Sequence, residues 1–201
     1  NAPGLAGSLK RMVLPIVQYG DPVLRQKGAR VEAITPEVRT FIADMLETMR
    51  AARGVGLAAQ QVGRPLRIAV VDIRGIIDRP STLHIDNQPT APEEFMPVVL
   101  INPEIKPVGE PVTGPEGCLS FPELYADIAR PGGVEVTALN LNGESFSFRG
   151  GGLLARAVQH EVDHLNGILF IDRMETAKRR ELRPELDELQ AATRAALARK
   201  H

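Results

Sequence analysis

The segment GLLARAVQHEVDHLNG, residues 152–167, constrains the fold more than any other part of the chain. Its apolar residues recur at helical spacing and a glycine stands at each end, so we expect one helix between the glycines. Two apolar stripes of this helix run into polar residues: His160 and His164 continue one stripe, and Glu161 continues the other. Such a helix belongs in the interior, where a buried carboxylate needs a partner or a metal ion. A third stripe is polar and is expected to face solvent or to contact the site from outside: Arg156, Gln159, Asp163 and Asn166.

The pattern HEVDH, residues 160–164, indicates a metal site. Histidines four residues apart lie one above the other on a helix and can bind one cation, and the glutamate after the first can act as a general acid/base on water. The alternative is a polar helix whose histidines are hydrogen-bonded in the core. The apolar stripes favour the metal site, but catalytic sites of this type normally have three protein ligands, and the helix supplies two.

The third ligand is best sought upstream, because the chain after His164 contains no pattern such as H-x-x-G-x-x-H. Cys118, the single cysteine, lies in PEGCLSFP, residues 115–122. Glycine and proline around it predict a tight, exposed backbone and not a core position. A thiolate here would complete a Cys-His-His set that leaves one position for water. A lone cysteine is otherwise most often a small buried hydrophobe.

A third segment, RGVGLAAQQVG at residues 53–63, is rich in small residues. It matches neither of the glycine patterns that bind nucleotide phosphates. Glycine and alanine let a second backbone approach closely, and the side-chain amides of Gln60 and Gln61 are donors of the kind that stabilise an oxyanion. A loop that packs small residues after a helix is the alternative interpretation.

The remaining chain predicts an α+β fold, with antiparallel or mixed β-sheets packed around the central metal-binding helix and a C-terminal helix. Thr35 and Pro36 begin a helix that Gly54 ends. We expect strands at 66–73 and 97–105, a loop at 74–95, a hairpin with a tight turn at Asn142-Gly143, and a helix at 175–200 that Pro184 breaks or restarts.

Composition excludes several classes of partner. The net charge is −1, aromatic residues make up 4 % and tryptophan is absent, so neither nucleic acid nor a membrane surface is expected as the main partner. The apolar runs are far too short to span a bilayer. A single cysteine fits a reducing compartment.

We expect three regions along the chain. Residues 1–11 are small and polar and are interpreted as a disordered remnant of an expression vector, with Met12 as the candidate natural start. Residues 12–174 form the catalytic domain, and residues 175–201 form a helical extension.

Taken together, GVGLAAQQ (54–61), EGCLS (116–120) and HEVDH (160–164) resemble the peptide deformylase family. The family pattern is G-Φ-G-Φ-A-A-x-Q, E-G-C-L-S and H-E-x-x-H in this order, and the likeness runs from Met12 to Arg173. The resemblance implies that Cys118, His160 and His164 bind the metal and that Glu161 is the general acid/base. It also implies two oxyanion donors, the side-chain amide of Gln61 and the backbone N–H of Leu119.

The same resemblance implies how the substrate binds. Val55, Gly56 and Gly117 would hold its backbone in an extended pairing, while Val55, Leu153 and Ala157 would line the pocket for the first side chain. The implied reaction is hydrolysis of the formamide of an N-formylmethionyl peptide. Fe(II) is the favoured metal, and nickel, cobalt or zinc can replace it in purified protein.

Two regions depart from compact members of the family: the loop 74–95 is longer, and Tyr125 stands where some members have a basic residue. Fine specificity is therefore left open. In some bacterial members the C-terminal helix docks on the ribosome, but the seven Lys/Arg and five Asp/Glu of residues 175–201 favour a solvated helix. Initiation with formylmethionine points to the bacterial cytoplasm, with a processed organellar form left open.

Two alternative functions stay open at this point. One is a zinc endopeptidase that uses the HEVDH helix, and the other is a catalytically silent homologue that binds a peptide or a structural metal. The presence of both Glu161 and Gln61 favours the deformylase, because a structural metal site needs neither of them.

Overall fold

The computed structural model describes residues 11–201, so all but the last residue of the predicted vector remnant lies outside the described residues. Within residues 11–201 the chain forms three α-helices: α1 (Pro36–Ala51), α2 (Leu153–Leu165) and α3 (Thr176–Ala198). The same residues form seven β-strands: β1 (Gly56–Ala58), β2 (Ile68–Val71), β3 (Ser81–Ile85), β4 (Gln88–Pro89), β5 (Val98–Cys118), β6 (Phe121–Leu139) and β7 (Ser145–Gly152).

The strands are joined in the order β1-β2-β5-β6-β7-β3-β4, and each neighbouring pair is antiparallel. This confirms the α+β prediction in its antiparallel form; the parallel contact recorded among the described residues is an isolated bridge between Ala29 and Leu66. Strands β5 and β6 are long and meet in a tight turn, Leu119-Ser120, which places Cys118 opposite Phe121.

Helix α2 is the centre of the molecule, since each of its 13 residues is buried. Its apolar side packs on the sheet through residues such as Leu154, Val158 and Val162. The polar stripe was expected to face solvent or to contact the site from outside, and three of its four residues do not face solvent: Arg156, Gln159 and Asp163 are buried, whereas Asn166 is exposed. The reason is that strands β5 and β6 cover this side of the helix and supply hydrogen-bond partners for each of the three.

Helix α1 begins as predicted, with the hydroxyl of Thr35 accepting the N–H of Val38 and Pro36 in the first turn. It ends at Ala51, three residues before Gly54. Its apolar face packs on β1 and β2 and forms the second cluster of the core, which includes Phe41, Ile42, Met45 and Met49.

The predicted loop 74–95 is wrong for residues 81–89, which contain β3 and β4. Strand β3 pairs with the glycine-rich end of β7, so that Leu83 lies opposite Gly150. Strands β3 and β4 form a hairpin, and the polar pair Asp86-Asn87, which favoured a loop, forms its turn. Both residues have left-handed φ values, 52° and 63°. Composition alone does not distinguish a short polar strand such as β3 from a loop, because β3 becomes a strand only by pairing with β7, which is distant in sequence.

The hairpin of β6 and β7 is confirmed, but its loop spans residues 140–144 and not the two residues 142–143. Gly143 takes the left-handed φ of 77°, and the side chain of Asn140 accepts the N–H groups of Asn142 and Glu144. The side-chain acceptor of Asn140 therefore replaces the strand pairing that a two-residue turn would need.

The predicted break of α3 at Pro184 is also wrong, since the helix runs through this residue. Both Pro184 and Arg180, whose carbonyl loses its helical donor there, are exposed, so water can satisfy the carbonyl. Helix α3 packs through Leu182, Leu186 and Leu189 on the third cluster of the core, which includes Phe121 and Phe170.

Candidate active site

The three predicted metal ligands meet at one point. Cys118 ends β5, while His160 and His164 lie one turn apart on α2, and the ligand atoms of all three lie within 4.8 Å of one another. The Sγ atom of Cys118 is 3.4 Å from Nε2 of His164. Sulfur and nitrogen ligands of a single tetrahedral ion would lie about 3.6 Å apart, given their usual bond lengths. The spacing and the donor set therefore fit one divalent cation.

Glu116 orients the first of these histidines. Its Oε1 atom is 2.8 Å from Nδ1 of His160, which leaves Nε2 of the ring to face Cys118 and His164. Two buried guanidinium groups hold the same carboxylate: Arg130 donates through Nε (2.6 Å) and Nη2 (2.9 Å), and Arg156 donates through Nη1 (2.8 Å). Burial alone would raise the pKa of Glu116, but the hydrogen bonds from His160 and Arg130 outweigh it and hold the pKa well below its usual range.

A second carboxylate extends this arrangement to the surface. Asp163 accepts from Arg130 at 2.9 Å and from both Nε and Nη2 of Arg173 at 2.8 Å. A continuous series of charged hydrogen bonds thus runs from half-exposed Arg173 to His160. Such a series fixes the ring of a metal ligand and its tautomer.

Glu161 lies beside the ligand cluster with no polar partner for one of its oxygens. It is 5 % exposed, and Oε2 has no hydrogen-bond partner within residues 11–201. Burial raises the pKa of Glu161 to about 7. Its carboxyl rests directly on Gly56, where an added Cβ would come within 2.5 Å of Oε1. The position suits a group that exchanges a proton at neutral pH.

The two histidines differ in their electrostatic surroundings. Burial, with the positive charges of His160 and Arg130, lowers the pKa of His164 well below its usual value. Burial acts in the same direction on His160, but hydrogen bonds with Cys118 and Glu116 outweigh it and raise its pKa. The lowered pKa of His164 favours the neutral ring, the form in which a histidine binds a metal.

Gln61, not Gln60, faces the ligand cluster. Its Oε1 accepts the N–H of Ala58 at 2.9 Å, which directs Nε2 to the hydroxyl of Ser120 (3.3 Å) and to Sγ of Cys118 (3.5 Å). The amide of Gln60 donates instead to the carbonyl of Gln26 at 3.2 Å. An oriented donor, Gln61, and the backbone of Leu119 thus border the same space.

A cavity of about 420 Å³ opens onto this cluster. All the predicted substrate-binding residues line it: Val55, Gly56, Gly117, Leu153 and Ala157. Gln61, Cys118, Leu119, His160 and Glu161 line it as well, whereas His164 lies behind the wall and is 1 % exposed. Tyr125 stands at the rim with its ring against Gly117, where an added Cβ would meet the ring at 2.7 Å.

Sequence reasoning assigned no role at the site to Glu116, Arg130 and Arg79, and it left Arg156 between solvent and a contact with the site. Glu116 is the first residue of the EGCLS segment, and its place in that motif is the signal that could have identified it. No pattern within the segment predicts that it contacts His160. Arg130 carries no signal of its own, because its partners lie on other elements. Arg79 and Arg156 also line the cavity, the first with a hydrogen bond to the carbonyl of Pro115 at 3.1 Å.

The sequence matches the family model described as polypeptide deformylase over residues 13–180. The chain belongs to the polypeptide deformylase family. A peptide deformylase of Opitutus terrae is 44 % identical over 188 residues, which cover 92 % of this chain and 97 % of the relative.

Solved structures of deformylases share the fold. A peptide deformylase from Legionella pneumophila superimposes with a TM-score of 0.74 at 38 % identity and covers 90 % of this chain and 96 % of its own. A deformylase from Synechococcus elongatus, solved in complex with actinonin, gives a TM-score of 0.70 at 38 % identity, with 96 % and 93 % covered.

Deformylases are metal-dependent hydrolases that remove the N-formyl group of nascent peptides. The Cys-His-His cluster is the metal site that such an enzyme requires. Neither alternative, endopeptidase nor silent homologue, finds support in these comparisons. No helix within residues 11–201 is long and apolar enough to cross a bilayer.

Proposed function

We propose that the cavity binds the N-formylmethionyl end of a nascent peptide and hydrolyses its formamide. The observation that carries this proposal is that Glu161, a proton acceptor, and Gln61, an oriented amide donor, line the same cavity as Cys118 and His160. A formyl group has only hydrogen on its far side, so a cavity lined by Gly56 and Gly117 suits it.

Glu161 moves the proton in this reaction. Cys118, His160 and His164 would hold a divalent cation, which would supply Lewis acidity and lower the pKa of water toward about 7. Glu161 takes the proton of the attacking water, whose oxygen bonds to the formyl carbon. When the carbon–nitrogen bond then breaks, the same carboxyl returns the proton to the departing amine, and formate and the free α-amino group leave.

Gln61 and Leu119 hold the charge that develops on the formyl oxygen. Gln61, whose Nε2 is 3.5 Å from Sγ of Cys118, and Leu119, the residue after Cys118, both line the cavity. A single donor of this kind typically contributes roughly 3 kcal/mol to lowering the barrier.

Strand β1 holds the peptide backbone. It is an edge strand that pairs with β2 on one side, so an extended peptide can add to its other side. Gly56 of this strand, Val55 before it and Gly117 all line the cavity. Val55, Leu153 and Ala157 form the apolar wall that receives the methionine side chain.

Fe(II) is the metal of the active enzyme in this proposal. A Cys-His-His set is compatible with zinc, and a thiolate also suits iron(II). Purification without oxygen, followed by metal analysis and activity measurement, should give the highest rate with Fe(II), and exposure to oxygen should lower that rate. Highest activity with zinc that oxygen does not change would contradict this assignment.

The proposed location is the bacterial cytoplasm, where nascent chains carry formylmethionine.

The C-terminal helix is the candidate ribosome contact. Helix α3 presents both signs of charge to solvent. Replacement by glutamate of Arg194 in this helix and of Lys200 just after it should reduce cosedimentation with ribosomes while formate release is retained. Equal cosedimentation of the variant and the parent chain would rule out this contact.

Two peptides separate deformylation from endopeptidase activity. Mass spectrometry of formyl-Met-Ala-Ser should show the loss of one formyl group, whereas an unformylated longer peptide should stay intact. Cleavage of internal bonds in the unformylated peptide would indicate an endopeptidase.

A further inference from the structure

The segment Ile16–Tyr19, which we call the strap, contacts both elements that supply the proposed oxyanion donors. The N–H of Val17 donates to the carbonyl of Gln61 at 2.8 Å, and the N–H of Tyr19 donates to the carbonyl of Ser120 at 2.9 Å. Gln61 lies in the short 3-10 helix after β1, and Ser120 lies in the β5–β6 turn. A segment remote in sequence from both thus joins them by backbone hydrogen bonds.

The side chain of Gln18 adds a third connection. Its Nε2 donates to the carbonyls of Ile16 (3.2 Å) and Leu119 (3.4 Å). Both neighbours are acceptors, so the NH₂ end of the amide has to face them. The opposite end, Oε1, is buried without a hydrogen-bond partner among the described residues. The carbonyls of Ile16 and Leu119 therefore set the orientation of the Gln18 amide, although this orientation leaves its Oε1 unpaired among the described residues.

The ring of Tyr19 fixes the strap from the other side. It stacks on Phe121 with a centroid distance of 4.8 Å and an interplanar angle of 23°. Phe121 is paired with Cys118 across the β5–β6 turn. The strap therefore contacts the turn through Gln18, through the N–H of Tyr19 and through its ring.

We propose that the strap positions the oxyanion hole: Val17, Gln18 and Tyr19 hold Gln61 and Leu119 at the separation at which both donors reach one oxygen. This inference rests on the proposed function. Gln61 and Leu119 lie on different elements, and the side chain of Gln61 reaches the neighbours of Leu119 through two long contacts, 3.3 Å to the hydroxyl of Ser120 and 3.5 Å to Sγ of Cys118. Donors stabilise a transition state only when they are held in place beforehand, so a third element that fixes both contributes to the rate.

Gln18→Leu tests the side-chain connection, and Gln60→Leu is its matched control. Gln60 is also a glutamine whose amide donates to a carbonyl and whose Oε1 is buried and unpaired within residues 11–201, but its partner is Gln26 and not the turn. With formyl-Met-Ala-Ser, Gln18→Leu should lower kcat by about three- to tenfold, a fraction of the ~100-fold loss that follows removal of a whole donor. KM and bound metal should stay within twofold, as expected for an interaction made in the transition state.

Gln60→Leu should lose stability to a similar extent while its kcat stays within twofold. Equal kcat values for the two variants, or a fall in bound metal that matches the fall in kcat of Gln18→Leu, would overturn the proposal.

Amide hydrogen exchange gives a readout that does not depend on turnover: exchange of the peptide spanning residues 117–121 should accelerate in Gln18→Leu and not in Gln60→Leu. Unchanged exchange would likewise overturn the positioning role.

Val17→Pro tests the backbone connection to Gln61, because proline removes the N–H that donates to the carbonyl of Gln61. Val13→Pro is the control, since Val13 precedes the strap and its side chain is 57 % exposed. The first variant should lower kcat more than the second at equal metal content; equal losses would contradict the link to Gln61. A wild-type enzyme that released no formate would refute the proposed function itself, and hydrogen exchange would then decide alone whether the strap holds the turn.

Discussion

Gly56 illustrates how a single missing side chain shapes the site. An added Cβ would come within 2.5 Å of Oε1 of Glu161 and within 2.8 Å of its Cδ and Cγ. Gly56→Ala should therefore displace the carboxyl and lower kcat at least about tenfold, because a misplaced proton acceptor loses much of its 10²- to 10⁴-fold contribution. Steady-state kinetics with metal analysis would check this.

The control for Gly56→Ala is Gly132→Ala, whose added Cβ would meet the movable end of Val112 at 3.2 Å. This variant should keep its kcat. A Gly56→Ala enzyme with the kcat of the wild type would show that Glu161 does not need this space.

Glu116 is the residue on which both the ligand cluster and the buried arginines depend. Glu116→Gln removes the charge that Arg130, Arg156 and His160 share, in a side chain that is 4 % exposed. We expect metal affinity to fall by about 10- to 100-fold. The free energy of unfolding should fall by about 3–5 kcal/mol, since two guanidinium groups lose a buried partner.

Competition with a chelator and urea unfolding would measure these two quantities. Glu135→Gln is the matched control, because Glu135 pairs with Arg149 at the surface, with 41 % and 58 % of the two side chains exposed. It should change stability by less than about 1 kcal/mol and leave metal affinity unaltered. Equal effects of the two variants would contradict a supporting role of Glu116.

At the residue scale, the sequence was sufficient for residues that carry their own signal. His160 and Glu161 of HEVDH, the lone cysteine and Gln61 of GVGLAAQQ line one cavity, and His164 lies behind its wall within reach of the same ligand cluster. The role of Glu116 could not be predicted in this way, because its partner His160 is 44 residues away and the pairing depends on how β5 lies against α2.

At the scale of elements, periodicity predicted α1 and α2 well, and errors arose where burial came from a distant partner. The polar stripe of α2 is covered because carboxylates and arginines of β5, β6 and the helix neutralise one another. Strand β3 was missed for a related reason: its pairing with β7 decides its state, and its own composition does not.

Helix α3 gives a test at this scale. Leu186 is 5 % exposed and packs on the cluster around Phe121 and Phe170. Leu186→Ala should therefore lower the free energy of unfolding by about 2–4 kcal/mol. The exposed neighbour Glu185→Ala should change it by less than about 0.5 kcal/mol. If the two variants unfolded alike in urea, α3 would not be part of the core.

At the scale of the whole molecule, the site depends on three parts of the chain that only the complete sheet brings together. The long β5–β6 hairpin carries Cys118 to the buried helix α2, and the edge strand β1 leads into the turn that carries Gln61. The order of the three motifs resembles that of a known family, and this resemblance predicted that the three parts meet. The sheet order that makes them meet could not be read from local patterns, since each pairing joins segments distant in sequence.

The rate of formate release from formyl-Met-Ala-Ser by the metal-loaded enzyme, compared with that of Glu161→Ala, tests the central claim most directly. We expect the wild type to release one formate per peptide. The variant should be slower by about 10²- to 10⁴-fold at equal bound metal, because it lacks only the group that moves the proton. No formate from the metal-loaded wild type, or equal rates for the two proteins, would contradict this account.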